Sequence, residues 1–126
     1  MLIRFAIAAA VFGPLAVGAS SAAVADCEAA VRDTTYVAAQ GDIAFRSENY
    51  IEGSNAVSIA RFPSIDAANE AKACGCPEAV PPLQDATVTT DRANRAFDLS
   101  NVRIYGARLK KSAEEALGAL RRCAGR

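Results

Sequence analysis

The chain has no histidine and no tryptophan, and its one methionine is Met1. The missing histidine removes whole classes of chemistry. A Ser-His-Asp or Cys-His nucleophile cannot be assembled, nor an E-x-x-H di-iron helix, nor a C-x-x-C-H haem attachment. No phosphate-binding glycine loop is present. An excess of charge is missing too, since 14 basic residues meet 14 acidic ones over 126 positions. There is therefore no polybasic footprint for nucleic acid or an anionic membrane. Poised carboxylate pairs are also lacking, because Glu114 and Glu115 are adjacent and diverge on a helix. The expectation is a chain that is not an enzyme and carries no cofactor and no metal.

A long apolar run is a further absence. Phe5 to Val17 is apolar for thirteen residues, interrupted by Gly13 and Pro14, short of the roughly twenty residues of a membrane span. One positive side chain, Arg4, precedes it, and small residues ending in Ala23-Val24-Ala25 come after it. This pattern reads as a secretory signal peptide over residues 1–25. A lone Arg4 excludes a twin-arginine signal. Asp26, directly before Cys27, departs from the small residue that precedes the lipid-bearing cysteine of a bacterial lipoprotein. Cleavage leaves one domain, residues 26–126, in which 13 basic residues face 14 acidic ones for a net charge of −1. Its expected place is a bacterial periplasm or the exterior, with no membrane attachment after cleavage.

Four cysteines are present, and all lie beyond the cleavage site. Cys74-Gly75-Cys76-Pro77 sits centrally, with Cys27 and Cys123 each 47 residues away. An even count in an exported chain reads as two disulfides. A Cys74–Cys76 ring would be too tight, which leaves 27–74 with 76–123, or 27–76 with 74–123. The first is preferred because each bridge then staples one half of the chain. The alternative function is a periplasmic thiol-disulfide redox protein using Cys74-Gly75-Cys76, which needs an accessible thiol of low pKa. The usual C-x-x-C beside a βαβ pattern is missing, and no base stands nearby. Four thiolates could hold zinc or cuprous copper, but export opposes free thiols.

An offset of 49 superposes Cys27 on Cys76 and Cys74 on Cys123. It also matches Ala30 with Ala79, Val31 with Val80, Asp42 with Asp91, Ala44 with Ala93, Arg46 with Arg95 and Ala67 with Ala116. Each half has room for two helices of about 20 residues. The expected fold is all-α: an antiparallel four-helix bundle built from two disulfide-stapled hairpins, 27–74 and 76–123.

The first helix should open at Asp26 and turn Ala30, Thr34, Val37, Gly41 and Ala44 to one face. Gly41 marks a weak point or a close approach by another helix. Residues 47–55 read as the connection, with Gly53-Ser54-Asn55 as breaker and cap. The second segment is ambiguous over 56–62, helical turn or short strand, and is kinked or broken near Pro63, with Ser64 capping the helix beyond the break. The third helix lies within 77–97, softened by Pro81-Pro82 and by Thr87 to Thr90, its best part at 91–97. The fourth carries the clearest stripe: Leu99, Val102, Gly106, Leu109, Ala113, Ala116, Leu120 and Cys123. Asp42 and Asp91 are placed to pair with Arg46 and Arg95 at i,i+4.

Tyr50, Phe62 and Tyr105 fill gaps in the core or, if exposed together, form a partner-binding patch. The functional expectation is a small binding or structural module whose partner is a protein or another envelope component.

Overall fold

A computed structural model describes residues 27–125 of the chain. The signal-peptide reading of 1–25 and the helix start at Asp26 lie outside them. Among the described residues there is no strand, and no helix is long and apolar enough to cross a membrane.

Helix α1 covers 27–46. Ala30, Thr34, Val37, Gly41 and Ala44 are all buried, in the alternating steps of four and three that keep one face inward. Among the described residues the buried Thr34 hydroxyl has no hydrogen-bond partner. The connection is shorter than 47–55. Asn49 ends it by accepting from the Glu52 N–H at 2.8 Å, so helix α2 starts at once and runs Tyr50–Ile59. Gly53-Ser54-Asn55 is thus helical and not a breaker. A Cβ on Gly53 would stand 2.8 Å from Val102 Cγ1, which makes this glycine a packing position.

The 56–62 stretch is helical, not a strand. The break falls at Ala60, three residues before Pro63, and helix α3 spans Arg61–Ala73. Pro63 occupies the first turn of α3, where its missing N–H would have had no intrahelical acceptor. Ser64 is inside the helix and does not cap it; its hydroxyl donates back to the Ala60 carbonyl at 2.7 Å. The end of α3 is a Schellman turn. The Cys76 N–H donates to the Ala71 carbonyl at 2.8 Å and the Gly75 N–H to the Lys72 carbonyl at 3.2 Å, with Gly75 at φ 80°.

A 3-10 turn, Pro77–Ala79, leads into helix α4, Val80–Ala93. Pro81 and Pro82 do not weaken it, because they lie in its first turn. Thr87, Thr89 and Thr90 remain helical by donating their hydroxyls to carbonyls three or four residues back. The expected best part, 91–97, instead contains the helix end. Helix α5, Leu99–Ala124, has 26 residues and is about 39 Å long. Asp98 caps it, accepting from the Asn101 N–H at 3.3 Å.

Two apolar clusters form the core. One joins Ala30, Ala67, Ala71, Cys76, Ala79, Leu83, Ala116 and Leu120; the other joins Val37, Ala44, Val57, Ala60, Ala86, Ala93, Val102 and Leu109. Helix α5 serves both and packs against α2 and α4, while α4 also packs on α3. Between α1 and α5 the backbones nearly touch. A Cβ on Gly106 would lie 2.6 Å from the Phe45 nitrogen, and one on Gly41 would lie 2.7 Å from the Lys110 nitrogen.

Gly106→Ala therefore gains helix propensity of about 1 kcal/mol yet is expected to destabilise by about 1–3 kcal/mol, because the added methyl meets α1 at Ala44 and at the Phe45 nitrogen. Urea unfolding of the variant measures the sign. Thr34→Val, which removes the unpartnered hydroxyl at constant shape, should raise stability by about 1 kcal/mol in the same assay.

Candidate functional site

The four cysteines meet at one end of the molecule. Cys27 bonds Cys74 and Cys76 bonds Cys123, and among the described residues no cysteine is free. Cys74 and Cys76 thus belong to different bridges. Cys76 is fully buried, while Cys27, Cys74 and Cys123 are half-buried. The sulfurs of Cys76 and Cys123 and a carboxylate oxygen of Glu78 lie within 4.8 Å of one another. Bound to each other, the sulfurs offer no thiolate to a soft metal. Two such bridges are the chemistry of a non-reducing environment.

The aromatic trio is divided by its surroundings. Tyr50 is half-buried, and its hydroxyl donates to the Ala96 carbonyl at 2.9 Å. Tyr105 packs on the same cluster as Tyr50, with the Arg108 guanidinium 5.6 Å from its ring centre. Phe62, 68% exposed, stands at the start of α3 beside Arg61.

The ion pairs follow the duplicated D-x-A-x-R motif only in part. Asp42 accepts from Arg46 at 3.0 Å and from Lys110 at 3.1 Å. These two cations, Arg46 foremost, hold the Asp42 carboxyl below its usual range. Asp91 pairs with Arg61 at 2.8 Å rather than with Arg95. Helix α4 ends at Ala93, so Arg95 lies past the helix that would have carried it back toward Asp91.

Open cavities border the helices. One of about 280 Å3 lies between α3 and α4, lined by Ile65, Asn69, Lys72, Gln84 and Val88 among others. One of about 380 Å3 lies beside Leu99, Ser100, Arg103 and Ile104 of α5. Another, about 290 Å3, lies at the α4–α5 corner between Arg92, Arg95, Ala96, Asn101 and Tyr105. Sequence reading gave Arg95 and Tyr105 of that set other roles.

Sequence reading also missed a carboxyl pair. Glu70 on α3 has a buried Oε1 with no hydrogen-bond partner among the described residues. Its neighbour is the Asp33 carboxyl of α1, so the two hydrogen-bond only when one holds a proton. Desolvation, then Asp33 and Asp66, push Glu70 from its ordinary 4.5 up to about 7, while Arg32 opposes them. Nothing in the spacing of Asp33 and Glu70 signals this meeting, because different helices carry them.

No known protein family, curated protein or solved structure matches the chain.

Folded Glu70 keeps its proton up to about pH 7, whereas the unfolded chain releases it near 4.5. The stability contributed at this site is complete below about pH 4.5 and is lost as pH rises through about 7, because the native state binds more protons in that window. Urea midpoints measured at about pH 5 and about pH 8 should show wild type losing more stability than Glu70→Gln, which cannot ionise.

Proposed function

We propose that the mature chain is a small exported binding or structural module of a bacterial periplasm or exterior, without catalytic activity of its own. Its architecture would be an antiparallel bundle of two stapled hairpins, 27–74 and 76–123. In this arrangement α2 and α3 together form the second column and α5 the fourth. The partner would be a protein or another envelope component.

The observation that carries this reading is the placement of both disulfides. The first core cluster draws on the first turns of α1, the end of α3, the start of α4 and the end of α5, and both bridges pack at that end. The second cluster draws on the opposite ends of α1, α4 and α5 and on α2. That the two clusters draw on opposite ends of α1, α4 and α5 supports the antiparallel order. Each bridge closes a separation of 47 residues, which in the loop-entropy account contributes about 4 kcal/mol. That is comparable with the whole stability of a small domain, and this core is mostly alanine.

The thiol-exchange alternative draws less support. An exchange site needs a thiolate that can attack and a bridge whose sulfurs can be reached. Here Cys76 is sealed in the core.

Replacing either pair, Cys27→Ser with Cys74→Ser or Cys76→Ser with Cys123→Ser, should cost about 4 kcal/mol in denaturant unfolding. The exported protein should resist alkylation and mild reductant under native conditions, and its intact mass should place the N terminus at Asp26. A bridge that opens readily in the folded protein would transfer the function to thiol exchange.

A further inference from the structure

We infer that the α4–α5 corner is a binding site for a phosphate-bearing group, an inference that rests on the binding-module reading and names what is bound there. Arg92 lies in the last turn of α4, and Arg95 in the turn just beyond it. Asn101 and Tyr105 stand one turn apart at the start of α5. Together with Ala96 these residues line the open cavity of about 290 Å3.

The charges of this corner do not cancel. From Asp91 to Arg108 the chain carries four arginines, 92, 95, 103 and 108, against two aspartates. Both aspartates are engaged: Asp91 by Arg61 at 2.8 Å, and Asp98 as the cap of α5. Arg103 donates to the Phe45 carbonyl at 3.1 Å, and Arg108 lies over the Tyr105 ring. Among the described residues Arg92 and Arg95 have no carboxylate partner. Two guanidinium groups on one concavity create a potential that an oxyanion relieves.

The donor set suits phosphate. Guanidinium forks present paired N–H groups, and phosphate offers several acceptor oxygens around a tetrahedral centre. The Asn101 amide and the Tyr105 hydroxyl add neutral donors. Unlike the Tyr50 hydroxyl, that of Tyr105 donates to no protein acceptor among the described residues.

The two halves of the chain supply an independent argument. The positions 49 residues before Arg92, Arg95, Ala96, Asn101 and Tyr105 hold Ile43, Arg46, Ser47, Glu52 and Ala56. At those positions the first half folds with one arginine, paired to Asp42, and with a carboxylate where the corner has Asn101. Neither the second arginine nor the tyrosine is required for the chain to turn there. The second half lacks that acid and carries a further cation and a phenol at one concavity.

The test uses the exported chain with both disulfides formed and inorganic phosphate as the probe, read by NMR of arginine Nε–H and tyrosine ring signals at constant ionic strength. Saturable shifts at Arg92, Arg95 and Tyr105 are expected. Arg95→Gln should weaken binding about tenfold, and Arg92→Gln/Arg95→Gln further. Arg46→Gln, the equivalent position of the other half, should change affinity by less than about twofold. Thermal melts establish that each variant is folded. A second arm adds vesicles of phosphatidylcholine alone or mixed equally with phosphatidylglycerol. Binding of free phosphate assigns a soluble phosphate group. Binding only to the mixed vesicles, lost in the double variant, assigns a lipid headgroup. Absence of both, or binding unchanged in the double variant, overturns the assignment. Bridges that resist reductant while phosphate fails to bind would sink this assignment and leave the module reading standing.

Discussion

The backbones of α1 and α5 approach until no side chain fits between them, and that spacing sets the terms for the rest of the packing. Gly41 faces the Gly106 carbonyl and the Lys110 nitrogen, and Gly106 faces Ala44 and the Phe45 nitrogen. The approach is needed because the core is small-residue. Its only fully buried leucines are Leu83, Leu109 and Leu120 among the described residues, and alanine supplies most of the remainder. An alanine methyl removes little surface from water, so dispersion contacts accumulate only when helices lie close. Asp42 and Lys110 then pair at 3.1 Å beside the crossing. A core with so little apolar area per contact is marginal for a domain of this length, which is why covalent staples at the far end matter to it.

The 49-residue equivalence extends into the structure beyond the cysteines. Asn49 and Asp98 occupy equivalent positions, and each caps a helix by accepting from the N–H three residues on. Lys110 and Arg61 are equivalent, and so are Asp42 and Asp91. Lys110 of the second half reaches Asp42 of the first, while Arg61 of the first reaches Asp91 of the second. Each half thus sends a cation to the other's aspartate. Gly53 lies against Val102, its own counterpart. The halves are clasped by reciprocal contacts, and separating them would break both ion pairs at once.

Elements that depend on a single stretch of chain were legible. The stripe from Val102 to Leu120 is buried as its period requires, and Gly75 with Pro77 forms the stop and restart that their backbone chemistry favours. The connections depart from expectation for a common reason: glycine and proline break a helix only at some positions. Pro63, Pro81 and Pro82 all fall in first turns, where the lost N–H bonds nothing. Gly53 stands inside α2 because Val102 leaves no room for a Cβ there, a fact carried by a residue 49 positions away. The Asp91–Arg61 pair, the Glu70–Asp33 carboxyls and the α4–α5 cavity were illegible for that same reason, since each needs two helices brought together before it exists.

The departures from equivalence are more informative than the matches. Thr34 in α1 corresponds to Leu83 in α4; both are fully buried, yet only the threonine carries a hydroxyl without a partner. That difference lies inside the core and alters stability. The differences between Ile43 and Arg92, Glu52 and Asn101, and Ala56 and Tyr105 gather instead around one surface concavity. A fold that needs only packing and capping is served by either set. The second set concentrates unneutralised guanidinium groups in a chain whose charges balance only as a whole, and such a concentration costs self-repulsion in the free protein. An anion bound at the corner converts that repulsion into affinity, which gives the asymmetry of the two halves a physical purpose.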